Sequence, residues 1–330
     1  MVTRPPPRSP EGQTTTRRQC LTNAATPGNI LTLLPGSLPA RLAVQDRVNY
    51  MNCMNAMTFV ERVEALLTAA VAGEGLLGAA SAHLTLAPSA KRARPRLLLA
   101  FAQLVRRDDD DGDGDSDALV LAGAAIELIH TASLLHDDVV DGADARRGRA
   151  SANARFGNSA AVLAGDLVLA RGLALLSSDA GAMNAALDVV ARMSTAAVRE
   201  IEVRGQDVSV DEALRIALGK TGALFGLCGT LAGLGRPHAD ALRRAGEAFG
   251  VAFQIADDID DVDTDGRDGV VTVPLMTSRG ESRAIVDAHL ERARVALEPF
   301  AGTAAHREVL AFATALGRLH KGPSDQRGAA

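Results

Sequence analysis

From Thr58 onward, apolar residues return every three or four positions, carried by Ala, Leu and Val between Arg and Glu, and almost nothing alternates with period two. That spacing stacks the apolar positions on one face of a helix, so the chain reads as all-α. It predicts helices over 58–73, 93–106, 118–141, 158–177, 182–203, 211–234, 238–263, 281–299 and 304–319. A single bundle of these fits one domain, 57–330. The first 56 residues lie outside the pattern: Arg4, Arg8, Arg17, Arg18, Arg41 and Arg47 face only Glu11 and Asp46, among many Pro, Thr and Leu with no apolar period. They read as a tail. A transit segment has this composition, and so does a start set too far upstream, since Met51, Met54 and Met57 stand just before the first helix. The second reading is favoured.

A second break, 108–117, holds seven aspartates, and Asp109, Asp111, Asp113 and Gly114 imitate the opening of a calcium loop. The twelfth position of that register is Val120 instead of Glu. A solvated acidic loop between helices is therefore expected.

Composition narrows the function. With no Trp, one Tyr, eight Phe and a net charge of −5, the chain lacks stacking rings and a basic footprint, so nucleic acid is not an expected partner. Cys20, Cys53 and Cys228 form no CxxC spacing and fit a reducing, cytoplasmic compartment, or an organelle if residues 1–50 are a transit segment. The uncharged apolar stretch Thr221–Gly235 is 15 residues, short of the ~20 a membrane helix needs. No spanning helix is expected.

Two acidic clusters change the picture. Asp137 and Asp141 end one apolar helix, four residues apart and so on one face, with Asp138 about 100° away. Asp257, Asp258 and Asp261 repeat the arrangement in another helix. Like charges at this spacing destabilise a helix by a few tenths of a kcal/mol, and both clusters follow apolar turns that lead toward a core, so a cation should neutralise them. One such cluster alone is most simply a charged helix end in solvent; two favour Mg²⁺, which binds one or two carboxylates and shares its remaining positions with water and substrate phosphates.

A diphosphate also needs direct cations. Only Lys91, Lys220 and Lys321 of 35 basic residues are lysine. Lys91 opens Lys-Arg-Ala-Arg-Pro at a helix start, Lys220 sits between glycines in Gly-Lys-Thr-Gly, and Arg146-Arg147-Gly148 follows the first cluster closely enough to fold back over it.

In order along the chain, Lys91-Arg92-x-Arg94-Pro95, Glu127-Leu128-x-His130, Asp137-Asp138-x-x-Asp141, Arg146-Arg147-Gly148, Gly165-Asp166, Lys220-Thr221-Gly222, Phe253-Gln254, Asp257-Asp258-x-x-Asp261 and Thr272-Val273-Pro274 resemble the trans-isoprenyl diphosphate synthases, or polyprenyl synthetases. The resemblance implies an all-helical, single-domain bundle around a central cavity, of the isoprenoid synthase type I kind. It also implies a homodimer and a head-to-tail condensation of an allylic diphosphate with isopentenyl diphosphate, dependent on Mg²⁺, with three ions when substrate is bound. Carried over by position, Asp137, Asp141 and Asp257 are expected as metal ligands, with Asp138, Asp258 and Asp261 acting on the metal through water or from behind the ligands. Arg146, Lys220, Thr221 and Gln254 fall to the allylic diphosphate, with Lys220 also assisting its departure. Lys91, Arg94, His130 and Arg147 fall to isopentenyl diphosphate, and His136 is read as structural.

The product tail is expected along the helix face behind Asp137, past Ile129, Ala132 and Ser133. No aromatic residue closes that face, so a product of at least twenty carbons is expected. Three positions depart from the family pattern. Ala90 and Ala150 replace Gly and Pro; Val270 stands where a lysine is usual after a short loop; and the stretch between Pro274 and the helix near 281 is shorter by about one helix. Two rivals follow. A class I terpene cyclase would carry Ser or Thr and then Glu where Asp261 and Asp265 stand. A non-catalytic or weakly active subunit of a heteromeric synthase would explain Val270 and the shortened region.

Overall fold

The structure is a computed structural model that describes residues 57–106, 116–146, 148–268 and 271–318, with side chains not described for 262–268 and 313–318. The tail, most of the acidic loop, Arg147 and Val270 lie outside the described residues. The described chain divides into two compact units, one holding residues up to Lys91 and Glu127–Leu175, the other Arg92–Ile126 and everything from Leu176.

The first unit contains α1 (Phe59–Val71), α2 (Gly75–Thr85), the C-terminal part of α4 (Asp117–Val140), a two-stranded antiparallel hairpin β1 (Ala145–Arg146) and β2 (Arg149–Ala150), α5 (Ala152–Phe156) and α6 (Asn158–Ala174). Helix α1 starts at a reciprocal cap: Thr58 Oγ1 accepts from the Glu61 backbone, and the Glu61 carboxylate accepts from the Thr58 backbone. Helix α2 was not expected, because its buried face carries Ser81, His83 and Thr85 among its apolar residues and hides the helical period. Thr85 Oγ1 donates to the Ser81 carbonyl at 2.7 Å, which satisfies the hydroxyl inside the protein. The hairpin and α5 were also not expected; their sequence has no apolar alternation.

The second unit contains α3 (Ala93–Leu104), the start of α4, α7 (Ala180–Val203), α8 (Val210–Ala217), a π-helical turn (Leu218–Gly222), α9 (Ala223–Ala232), α10 (Ala239–Asp268), α11 (Val273–Met276), α12 (Arg279–Ala296), a 3₁₀ turn (Glu298–Phe300) and α13 (Ala304–Arg318). The single helix expected over 211–234 is thus interrupted by the π turn. Helix α10 continues past Asp261 to Asp268 where a short loop was expected, since no proline intervenes before Pro274. The backbones of the π turn and α9 both touch that of α10: a Cβ on Gly250 would lie 2.7 Å from the Gly222 Cα, and one on Gly229 would lie 2.2 Å from the Leu242 carbonyl oxygen. Beneath the second acidic cluster, Val251, Ile255 and Ile259 of α10 bury themselves with Ala213, Val273 and Val286.

By length and composition α4 is long and apolar enough to cross a membrane, which a test for uninterrupted uncharged residues misses because Glu127 breaks the run. Of its most apolar window, 67% is buried inside the protein, the pattern of a core helix.

Candidate active site

In the first unit, the helix repeat carries Asp137 and Asp141 to the same side of the end of α4: the Asp141 amide donates to the Asp137 carbonyl at 2.8 Å, so the helical turn persists one residue beyond the helix. Asp137 is half-buried and Asp141 exposed, whereas Asp138 between them has no exposed surface. Arg146 Nε donates to Asp138 Oδ1 at 2.6 Å. The chain makes this return by turning at Gly142, with φ +62°, and the hairpin that follows turns at Gly148, with φ +74°, both left-handed conformations suited to glycine.

The hairpin that carries Arg146 is bolted down from outside. His83 Nε2 meets the Ala150 carbonyl at 2.7 Å, and Arg149 donates to His83 Nδ1 at 2.8 Å and to the His83 carbonyl at 3.2 Å. Burial lowers the His83 pKa and the neighbouring Arg149 and Arg155 lower it further, against the raising effect of the Ala150 hydrogen bond. The ring is therefore neutral with its proton on Nε2, accepting from Arg149 at Nδ1. Ser151 Oγ and Asn153 Nδ2 both donate to the Ala143 carbonyl, closing the loop behind the cluster.

His136, read as structural, packs on α6: its Nε2 lies 3.3 Å from both Asp166 Oδ1 and the Val162 carbonyl. A Cβ at Gly165 would sit 2.3 Å from that nitrogen, so the Gly165-Asp166 pair is where the ring docks. Of the tail-lining candidates, Ile129 and Ala132 are buried, and Ser133, half-buried, donates its hydroxyl to its own helix at the His130 carbonyl, 2.8 Å. His130 is half-buried, and Lys91 is exposed at the end of the first unit.

In the second unit the same division of labour recurs. Asp257 is half-buried, Asp261 is exposed, and Asp258 between them is buried. Gln254 Nε2 donates to Asp258 Oδ1 at 2.6 Å, and Gln254 Oε1 accepts from Thr221 Oγ1 at 2.6 Å. Thr221 thus fixes which way the amide faces, and the amide fixes the carboxylate. Lys220, one residue earlier in the π turn, donates Nζ–H to Glu200 Oε2 of α7 at 2.6 Å. The wide turn gives Lys220 and Thr221 different partners on α7 and α10.

Arg94 in the first turn of α3 stacks its guanidinium 4.8 Å from the centre of the Phe225 ring. Arg92, before it, is buried and holds a left-handed φ of +51°. Glu200, the partner of Lys220, carries no local signal in the sequence, since the two are twenty residues apart.

Among the described residues no three carboxylate, imidazole or thiolate groups converge to hold a metal by themselves. Each unit instead offers an accessible carboxylate pair on hard oxygen donors, a set that suits Mg²⁺ completed by water and phosphate oxygens.

Comparison with known proteins places the chain in a family. The model of the polyprenyl synthetase family matches residues 74–269. A nonaprenyl diphosphate synthase of Mycobacterium tuberculosis is 37% identical over 251 residues, covering 67% of this chain and 73% of that protein. An octaprenyl diphosphate synthase of Escherichia coli is 34% identical over 206 residues, 56% of this chain and 61% of that one. Among solved structures, a decaprenyl diphosphate synthase from Rhodobacter capsulatus superposes with a TM-score of 0.69 at 26% identity, over 80% of this chain and 97% of that one.

Proposed function

The chain belongs to the polyprenyl synthetase family, whose members are prenyltransferases, and from that premise we propose that it joins an allylic diphosphate to isopentenyl diphosphate head to tail, giving a trans product of at least twenty carbons. The observation that carries the reading is the repeated division of each aspartate cluster: a buried middle carboxylate tied to Arg146 or Gln254, and first and last carboxylates left accessible.

The roles follow from the charge that develops. Breaking the allylic carbon–oxygen bond leaves a carbocation and a diphosphate anion; the isopentenyl double bond then attacks the cation, and the new cation loses a proton to the departed diphosphate. Asp137 and Asp141 of the first unit and Asp257 of the second would hold Mg²⁺, with Asp261, exposed on α10, acting on it through water, and the bound ions would supply positive charge to the leaving oxygens. Lys220 supplies direct positive charge, and Arg146 sits beside the first cluster for the same end. Lys91, Arg94, His130 and Arg147 receive isopentenyl diphosphate. No dedicated base is required, and Ile129 and Ala132, buried on α4, present an apolar face that excludes water from the cation.

The long product is supported by relatives named for eight, nine and ten prenyl units. Two copies are the expected assembly: Leu187, Val198 and Ile201 form one exposed apolar stripe along α7. The cyclase reading gains no observation, since Asp261 and Asp265 stand where it needs a hydroxyl and Glu.

The test is extraction of radiolabelled products from purified protein fed isopentenyl and farnesyl diphosphates. The expected result is a set of diphosphates longer than farnesyl, formed only with Mg²⁺. Arrest at fifteen carbons removes the length assignment, a hydrocarbon product restores the cyclase, and equal turnover by the wild type and Asp137→Ala restores the non-catalytic subunit.

A further inference from the structure

Within the second unit, α8, the π turn, α10, α12 and the 3₁₀ turn line an open groove of about 560 Å³, with Val295 exposed on its rim, that no part of the mechanism uses. The volume lies within the ~300–1,000 Å³ range of small-molecule sites. Its walls are apolar, with Leu214 and Leu218 on one side, Ala248 and Val251 on another, and Val295 and Ala296 on the third. Three exposed arginines stand around it, one from each helix: Arg215, Arg244 and Arg292.

Their charges are not equivalent. Arg215 is engaged by Glu212 and Arg244 by Asp240. Arg292 instead donates Nη1–H to His289 Nε2 at 3.0 Å, and among the described residues no carboxylate pairs with it. His289 is buried and neutral, its pKa driven down to about 4 by burial and then by Arg292, so it positions the guanidinium without neutralising it. The one acid in the wall, Glu247, is held by Arg192 and Arg243. The groove therefore combines apolar walls with one arginine, Arg292, whose charge no described carboxylate offsets, which is the complement of a single-chain amphiphile with an anionic head.

We propose that this cavity is a second, regulatory site for an isoprenoid diphosphate, the chain lying between Leu218, Val251 and Val295 and the diphosphate on Arg292 with Arg215 and Arg244 beside it. The choice of occupant rests on the function proposed above, because that reaction releases amphiphilic anions of this class at the protein itself. The site also touches the machinery it would regulate. Leu218 belongs to the same π turn as Lys220 and Thr221, and Val251 lies one turn before Gln254 on α10. A chain wedged against Leu218 bears on the turn that aims Lys220 at Glu200 and Thr221 at Gln254.

The test is isothermal titration of the full chain with farnesyl diphosphate in the presence of a chelator, where binding through Mg²⁺ is removed. The expected result is one metal-independent site per chain. Its affinity falls about tenfold or more in Arg292→Glu, which reverses the charge, and in Ala296→Phe, which fills the cavity, but is unchanged in Asp137→Ala. Initial turnover before product accumulates stays at the wild-type level in Arg292→Glu, and inhibition by added product weakens in both cavity variants. Arg292→Gln replaces the reversal if that variant does not fold. Unchanged binding in the cavity variants overturns the proposal, as does loss of metal-free binding in Asp137→Ala, or a change of oligomeric state in the cavity variants without a change in binding. Metal-free binding with no turnover in any protein would leave the cavity site standing and remove the catalytic reading, whereas turnover with insensitive cavity variants would do the reverse.

Discussion

Arg146 reaches across eight residues of loop and hairpin to place its Nε 2.6 Å from Oδ1 of Asp138, a carboxylate with no exposed surface. The middle aspartate of the first cluster is therefore a structural anchor for the hairpin. Gln254 holds Asp258 at the same distance in the second cluster, from one turn earlier on the same helix. Two unlike donors, a charged one from a hairpin and a neutral one from α10, reach the same outcome. Each middle carboxylate is fixed inward, so that the helix end is oriented and the flanking aspartates are presented outward.

Arg146→Ala should cost stability as well as turnover, because it leaves the buried Asp138 carboxylate without its guanidinium. Removing one partner of a buried pair costs ~3–5 kcal/mol, and the partly exposed arginine places this case below that range, at about 2–3 kcal/mol. Arg146→Ala combined with Asp138→Asn should recover most of the stability and little of the activity. Denaturant melts of the four proteins in the cycle measure this, and equal stability of Arg146→Ala and wild type would show that the contact carries no weight.

Thr221→Val removes the hydroxyl that fixes the Gln254 amide while keeping the shape of the side chain. The loss of one neutral hydrogen bond is worth ~1 kcal/mol, so folding should weaken only slightly. Turnover should fall more, about tenfold, with little change in the KM for isopentenyl diphosphate, since Gln254 and Asp258 are released at the allylic end. Gln254→Glu places two carboxylates together and should fall further. Steady-state kinetics separate these outcomes, and a KM effect for isopentenyl diphosphate alone would reassign the relay.

The apolar period disclosed every long helix except α2, and the two aspartate clusters disclosed the site candidates, because both signals depend on local spacing alone. What stayed hidden depends on partners far along the chain. Helix α2 buries His83 to clamp Ala150, 67 residues away, and that requirement overrides the apolar pattern. The hairpin Ala145–Ala150 exists because the same histidine and Arg149 hold it. The π turn leaves no mark either: the apolar positions of 211–234 fit one helix, and only the packing of Gly222 against Gly250 reveals the change of register. Glu200 could not be picked from the acidic residues of α7 before Lys220 was seen to face it.

Gly229→Ala tests the close contact of α9 with α10. The added methyl would meet the Leu242 carbonyl oxygen at 2.2 Å, and a backbone atom in a packed helix cannot step aside as a side-chain tip can. Overpacking of this kind costs ~1–3 kcal/mol, more than the helical advantage of Ala over Gly returns. A lower thermal midpoint is expected, and a raised one would mean that the two helices separate freely.

Acid should weaken the second unit through His289 before it titrates most carboxylates. Its pKa falls from the ordinary 6.5 to about 4 on folding, first through burial and then through Arg292. Between those two values the unfolded chain binds a proton that the folded chain refuses, so stability is lost as pH falls through that window and is constant above it. One such group contributes a slope of at most about 1.4 kcal/mol per pH unit. The acids with depressed pKa values, among them Glu212, Asp240 and Glu281, lose their share at lower pH, because their unfolded values already lie near or below 4.5. His289→Gln keeps an acceptor for Arg292 and removes the titration, so its thermal midpoint should stay flat from pH 7 to 5 where that of the wild type declines by several degrees. Superimposable midpoints for the two proteins across that range would mean that His289 is solvated and protonates freely, and would remove the neutral imidazole from the wall of the cavity.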